Sequence, residues 1–518
     1  MTDVTDRSNS WPSGSGTSSG TVASGVGKIS AADPRYPSLL RGQNHRFTPG
    51  PEYIRTVHST EQVIDALNEA VGANKRVVVR SGGHCFENFT ASPDVEVLID
   101  MSAMDDVFFD AQRSAFAVEP GATLGHVYTR LFKGWGVTIP AGECSEVGAG
   151  GHIAGGGYGP LSRRYGSVVD YLYGVEVVVV DESGTARAVV ATREPDDPHR
   201  DLLWAHTGGG GGNFGVVTRY WLRSPSAVPG ANPASLLPKA PRMTRTKMLM
   251  WPWDSLTEED FTQIVRNFGT WFEHNSAADS RYTSLNGFFQ GPGRSRPVIL
   301  GAAIDTDVPN ARELMADYFS AMSREVSTKP QEMEWTVPWL YTPAYPGFGD
   351  LGDYMTRRLK IKAAYLRKCY TDRQIATAYR YLSSQDGDPS LILIGYGGNV
   401  NTVASAATAT AQRDSIMKVI VISVWGSESE DEDGIARIRE FYRDIYEETG
   451  GVPVPNDVND GSYINYPDAD LANPAWNTSG VPWYTLYYKE NYPRLQEVKR
   501  RYDPRNVFKH ALSIELPG

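Results

Sequence analysis

Glycine crowds three short stretches of this chain: VRSGGHCF (Val79 to Phe86), PAGECSEVGAGGHIAGGGYG (Pro140 to Gly159) and HTGGGGGNFGVV (His206 to Val217). These are too dense in glycine to be plain turns. Residues without a Cβ let main-chain N–H groups turn inward and approach a bound group within hydrogen-bonding distance, and such amide nests hold phosphate. The fold must therefore bring three remote loops to one ligand, and a dinucleotide is the natural guest. GGGNFG (Gly210 to Gly215) satisfies G-x-G-x-x-G. That fingerprint should follow a strand and open a helix, whereas here a strand-like VVTRYWL follows, which argues against a nicotinamide site of the Rossmann kind.

The chain has 518 residues, beyond the ~250–300 at which one core stops growing, so two domains are expected. Residues 1–28, rich in Ser, Gly and Thr, read as a disordered tail. From there EQVIDALNEAVGANK and ATLGHVYTRLFKGWG carry apolar residues at helical spacing. RVVVR, VEVLID, SAFAVEP, YGVEVVVVDESGTARAVVA and GVVTRYWLR read as strands, with ESG as a hairpin turn. The Pro-rich SPSAVPGANPASLLPKAPRM marks a boundary, placing a cofactor domain at 29–226 and a substrate domain at 227–455. In the latter TKMLMWPW, RYTSLNGFFQG, PVILGAAID, LILIGYGG and MKVIVISVW are strand-like. TEEDFTQIVRNFGTWFEHN, NARELMADYFSAM and GIARIREFYRDIYEETG are amphipathic helices. A sheet with helices on one side is the simplest assembly, making the class α+β. Residues 456–518 are too apolar for a solvated tail and are expected to pack back on the first domain.

A net charge of −11 with no basic stripe argues against nucleic acid as a partner. No run approaches the ~18 apolar residues that cross a bilayer, and the start lacks the apolar stretch of a secretory signal, so a cytoplasmic protein without a membrane role is expected. Three cysteines, Cys85, Cys144 and Cys369, are too few for a disulfide framework. The nine histidines show no zinc-type spacing, and the nearest pair, His199 and His206, falls in what reads as a polar loop; no metal is expected. The oligomeric state is not legible.

RSGGH with its following aromatic, G-x-C about sixty residues later, the GGH-x-x-GGGYG-x-L-x-R-x-x-G run, YINYPDADL (Tyr463 to Leu471) and YDPRNVF (Tyr502 to Phe508) together resemble the berberine-bridge-enzyme-like branch of the vanillyl-alcohol-oxidase flavoproteins. The resemblance spans about Tyr53 to Ile514, and within the branch it is nearest to bacterial antibiotic-tailoring oxidases of the glycopeptide hexose, tirandamycin and aclacinomycin types. It implies a PCMH-type FAD-binding fold of two subdomains, plus a substrate domain of antiparallel sheet covered by helices.

It also implies FAD held by two covalent bonds, His84 on the flavin 8α-methyl and Cys144 on C6. Arg80, Ser81, Gly82 and Gly83 are the implied cradle for the pyrophosphate. Gly148, Gly150, Gly151, His152, Gly155, Gly156 and Gly157 are expected along the isoalloxazine and ribityl chain, with Gly212, Asn213, Gly215 and Val216 approaching from the third segment and Asn506 from YDPRNVF. Cys85 is the competing thiol, expected to point away from its neighbour His84. The amide-rich loop is expected to favour the Cys144 thiolate.

Tyr466 matches the family's catalytic tyrosine, with Tyr396 and Tyr158 as candidate helpers. Asn399 stands where relatives often carry a basic or amide side chain. The implied activity is an oxidase: an alcohol on a sugar or a polyketide-type metabolite gives up hydride to flavin N5, and O2 is reduced to H2O2, as a tailoring step in antibiotic biosynthesis. The alternatives are a hexose or oligosaccharide oxidase of general metabolism, a dehydrogenase or oxidative cyclase on the same fold, and a flavin carrier with little turnover. Trp335, Trp339, Tyr341 and Tyr345 either line a substrate entrance or fill a core.

Overall fold

Strands Tyr53–Thr56 (β1), Val77–Arg80 (β2) and Val97–Asp100 (β3) form a parallel sheet in the order β1-β3-β2. Parallel neighbours need a crossover, and the helix Thr60–Gly72 supplies it between β1 and β2. Ser59 caps that helix by accepting from the Gln62 N–H, and Val63, Ala66, Leu67 and Ala70 face inward at helical spacing. Where β2 and β3 end in register, the buried Arg80 guanidinium donates to Asp100 at 2.6 Å, closing the sheet at the point where the first glycine segment leaves it. This computed structural model describes residues 27–40, 42–228, 230–342, 357–384 and 389–518. Residues 1–26 of the expected tail, and Tyr345, lie outside them.

A second, antiparallel sheet follows the order β4-β5-β8-β6-β7, from Val107–Asp110 (β4), Ala115–Val118 (β5), Leu172–Val180 (β6), Ala186–Thr192 (β7) and Val216–Leu222 (β8). The β6–β7 hairpin turns because the Asp181 carboxylate accepts from the Ser183 and Thr185 N–H groups, and Gly184 takes the left-handed conformation that a side chain resists. The third glycine segment runs straight into β8, with no helix after it.

The third sheet has seven antiparallel strands: Met243–Trp251 (β9), Leu285–Pro292 (β10), Val298–Asp305 (β11), Gln331–Pro338 (β12), Arg358–Leu366 (β13), Ser390–Gly395 (β14) and Met417–Trp425 (β15), in the order β12-β9-β11-β10-β14-β15-β13. Side chains alternate across it. Leu391, Leu393, Val419 and Val421 join one core with residues of helices Glu258–Asn275, Ala311–Met322, Asp372–Leu382 and Asp431–Ile445, while Ile392, Ile420 and Ile422 belong to a separate cluster on the opposite face. That second face looks into the cavity described below. The apolar strand runs are continuous because neither face meets bulk water.

Several elements go beyond the sequence reading, among them β1, β4, β12, β13 and the helices Asp372–Leu382 and Tyr492–Tyr502. His199 and His206 are not in a loop but bracket the short helix Arg200–Ala205, and His206 is buried with Nδ1 at 2.8 Å from the Leu202 carbonyl. The apolar Leu202, Leu203 and Trp204 pull that segment inside. Trp339 is buried against Tyr128 and Phe132, whereas Tyr341 is exposed. The chain's last part returns to its first: Lys499 Nζ donates to the Asn213 carbonyl at 2.8 Å, and Asn465 Nδ2 donates to the His152 carbonyl at 2.9 Å. Among the described residues no helix is long and apolar enough to cross a membrane.

Candidate active site

One cavity of about 600 Å³ runs from the end of β2, between the three glycine segments, to the isoleucine face of the third sheet. That size lies within the range of small-molecule and cofactor pockets. Arg80, Ser81, Gly82, Gly83, His84, Cys144, Gly148, Gly150, Gly151, His152, Tyr158, Gly212, Asn213, Gly215, Val216 and Tyr466 all line it. Gly155, Gly156, Gly157, Tyr396 and Asn506 do not.

The glycines divide into two groups by what a Cβ would meet. A Cβ on Gly82 would strike the Gly148 amide and one on Gly148 would strike Gly82, because the first two segments lie backbone to backbone. Gly155 is covered by the Asn465 carboxamide, Gly156 by the Thr410 hydroxyl, Gly157 by Val168 and His152, and Gly215 by Val177 and Val178. These positions are small so that the protein can pack on itself. Gly151 meets nothing within 4 Å, and a Cβ on Gly211 would have only the Gly151 Cα, at 4.0 Å. A slot therefore stays open between the second and third segments. Asn213 braces it without facing a ligand: Nδ2 donates to the Gly209 and Gly210 carbonyls and Oδ1 accepts from the Ile514 N–H. Asn506 is placed in the turn after the helix Tyr492–Tyr502, away from the wall.

Gly82→Ala is expected to destabilise the protein by about 2–3 kcal/mol through overpacking against backbone that cannot move. Gly151→Ala, inside the helix Ala149–Ala154, is expected to leave the melting temperature unchanged or raised, since alanine favours a helix by roughly 1 kcal/mol, while lowering bound flavin. Thermal melts and the ratio of flavin to protein absorbance separate the two cases.

Burial holds the His84 imidazole down at about 4, so it is neutral in the physiological range. His152 is likewise held at about 4, by burial and then by the Lys418 charge. Its Nε2 accepts the Gly142 N–H at 3.0 Å, which leaves the ring proton on Nδ1. Cys144 is open to the cavity, and because the cavity walls enclose it the thiol is pushed up to about 12, first by desolvation and then by the carboxyl of Glu143, itself pushed up to about 8 by desolvation. The expected preference for thiolate is thus reversed, since desolvation and a neighbouring acid both oppose a second negative charge. Cys85 also lines the cavity, so it is not turned wholly away.

Opposite these groups the phenols of Tyr158 and Tyr466 lie 2.9 Å apart. Burial raises both above the ordinary tyrosine value. Either hydroxyl can donate in this pair, and with Tyr158 as donor the bond favours loss of the Tyr466 proton. Tyr396 stands behind Tyr158 with its ring centroid 5.8 Å away, part of a buried aromatic cluster with Tyr365 and Tyr463. Asn399 is engaged elsewhere, donating to the Arg164 carbonyl at 2.6 Å.

A residue the sequence reading missed occupies that cluster. Lys418, buried on β15, places Nζ 3.2 Å from the ring centroid of Tyr158, 3.8 Å from Tyr463 and 4.5 Å from both Tyr365 and Tyr396. It finds no hydrogen-bond partner among the described residues. Burial and then the Arg413 charge drive its pKa well below that of a free lysine. Four ring faces oppose them by attracting the cation. A lysine heading the otherwise apolar MKVIVISVW was the available signal.

Amides that can surround a pyrophosphate, a slot between glycines and a phenol pair beyond it suit a flavin dinucleotide, and the class they define is an FAD-linked oxidoreductase. The FAD binding domain family matches residues 51–188, and the family described as berberine and berberine like matches residues 462–515. The chain belongs to the berberine-bridge-enzyme-like FAD-linked oxidoreductases, and its fold is their α+β, PCMH-type flavin fold. Aclacinomycin-N/aclacinomycin-A oxidase of Streptomyces galilaeus is 53% identical over 496 residues, 95% of this chain and 90% of that protein. Hexose oxidase of Chondrus crispus is 32% identical over 527 residues, 93% of each. Among solved structures, a glycopeptide hexose oxidase complexed with teicoplanin superposes with a TM-score of 0.90 at 52% identity, covering 94% of this chain and 98% of its own. An aclacinomycin oxidoreductase gives 0.92 at 52% identity, covering 95% and 99%.

Proposed function

We propose that this enzyme oxidises an alcohol group of a sugar-bearing or polyketide-type metabolite, with dioxygen as electron acceptor, as a tailoring step in antibiotic biosynthesis. The observation that carries the reading is the Tyr158–Tyr466 pair, facing into the same cavity as His84 and Cys144. The names of the similar oxidases support the alcohol as substrate.

Tyr466 takes the alcohol proton at its phenolic oxygen, and Tyr158 donates a hydrogen bond that stabilises the charge forming there. His84 and Cys144 hold FAD through covalent bonds, and the first two glycine segments bind its phosphates. FAD held there would supply the acceptor for the hydride of the alcohol carbon and the route by which the electrons reach dioxygen as hydrogen peroxide. The phenol pair lies under Ile394 and Phe86, which keep water from the proton being moved.

Acid denaturation, digestion and mass spectrometry are expected to find flavin on peptides containing His84 and Cys144. Flavin that washes out completely overturns the covalent assignment. Peroxide released in step with product distinguishes the oxidase from a dehydrogenase that uses another acceptor.

The two bonds differ in their expected pH dependence. A neutral imidazole is present at any pH above about 4, so attachment at His84 is flat across the neutral range. The thiolate share of Cys144 grows roughly tenfold per pH unit until the pH reaches its pKa, which stands at about 12. Apoprotein mixed with FAD between about pH 6 and pH 9 is therefore expected to form the Cys144 bond faster at each step upward, while the His84 bond forms at one rate.

A further inference from the structure

The third sheet contributes seven residues to the cavity wall among those described: Leu359, Ile361, Ile392, Ile394, Ile420, Ile422 and Asn286. Six are aliphatic. They are ordered by the sheet: Ile422 pairs with Ile361 across β15 and β13, and Ile420 pairs with Ile392 across β15 and β14. These four form one cluster, with Ile394, Phe86 and Tyr466 packed against its edge. Three adjacent strands span about 10 Å, and two successive same-face residues span ~7 Å along each. A plate of that size, without a donor or acceptor, matches two fused rings laid flat.

One strand register further, Ile394 pairs with Lys418, which faces the tyrosine cluster. The plate therefore ends where the Tyr158–Tyr466 pair begins. The part of an alcohol held at Tyr466 that extends along the third sheet lies against isoleucine. A free hexose would press several hydroxyls onto side chains that cannot bond them, and each unsatisfied polar group weakens binding. We infer that the alcohol this enzyme oxidises is carried on an apolar ring body that packs against Ile361, Ile392, Ile420 and Ile422, and that a free hexose is a poor substrate. This rests on the oxidase reading above and narrows it.

The test uses the flavin-loaded enzyme without oxygen, and methyl, phenyl and 2-naphthyl β-D-glucosides, which share their sugar hydroxyls and differ only in apolar body. Binding is read from perturbation of the flavin absorption spectrum. Affinity is expected to rise at least tenfold from methyl to naphthyl. Ile420→Val keeps that gain, and Ile420→Thr, the same shape with a hydroxyl, reduces it severalfold. Equal affinity along the series, tighter binding of the methyl glucoside, or no binding by any of the three overturns the inference. A loss equal in the Val and Thr variants also overturns it, because it reports shape alone. The oxidase reading fails separately: a naphthyl glucoside that binds with the expected preference yet reduces no flavin, and yields no peroxide in air, counts against alcohol oxidation while the apolar plate stands.

Discussion

Replacing Tyr466 with phenylalanine is expected to slow flavin reduction by alcohol on the order of 10²–10⁴-fold, the usual worth of a positioned acid–base group, with flavin content and melting temperature close to those of the parent. Tyr466 lies in the cavity wall with its hydroxyl 2.9 Å from Tyr158, so the substitution removes the proton acceptor and little packing. Rapid-mixing measurement of anaerobic flavin reduction separates the two quantities: the limiting rate collapses, and the substrate dissociation constant changes by less than about threefold. A loss under about tenfold would assign the base elsewhere, with Tyr158→Phe as the next variant to measure.

Lys418→Met is expected to lower the limiting rate by roughly 100-fold and to move its pH dependence upward. The Lys418 Nζ stands 3.2 Å from the Tyr158 ring centroid, so a proton held there favours negative charge on the neighbouring phenols. Negative charge that develops on the Tyr158–Tyr466 pair is the natural counterpart of that cation. The base acts when deprotonated, so the rate rises with pH through its pKa. Removing the cation raises that pKa, and the rise shifts to higher pH by about one unit or more. Stability should move the other way. Methionine keeps the stem and removes a buried amine that has no hydrogen-bond partner among the described residues, so the melting temperature is expected to hold or increase. A variant that melts earlier and keeps the parent pH profile would make Lys418 a packing residue.

Chemistry that local sequence controls was legible before the structure. Glycine density pointed to loops held close to a ligand, and the motifs picked out His84, Cys144, Tyr158 and Tyr466, all of which line one cavity. Alternating and helical periods placed the strands Leu172–Val180 and Met417–Trp425 and the helices Thr60–Gly72 and Glu258–Asn275. What escaped depended on distant partners. β13 begins RLKIK, too charged a pattern to announce a buried strand, and Lys360 and Lys362 are buried because Glu87, Asp468 and Asp470 arrive from far along the chain to meet them. β12 is an edge strand, largely exposed, with a pattern too polar to announce itself.

Sequence alone determined the α+β class, the family and the glycine loops that line the cavity, because glycine spacing and strand period are properties of neighbouring residues. Tertiary structure decided which glycines face the slot and which merely let backbones touch, since Gly82 and Gly148 are alike in sequence to Gly151 and differ only in what stands opposite. It also decided that the walls around Cys144 and its neighbour Glu143 disfavour a thiolate, that Tyr396 stays behind the wall, and that Lys418 sits among four tyrosine rings. Each depends on burial and on charges brought together from remote parts of the chain, and distance through space is what a linear order of residues does not contain.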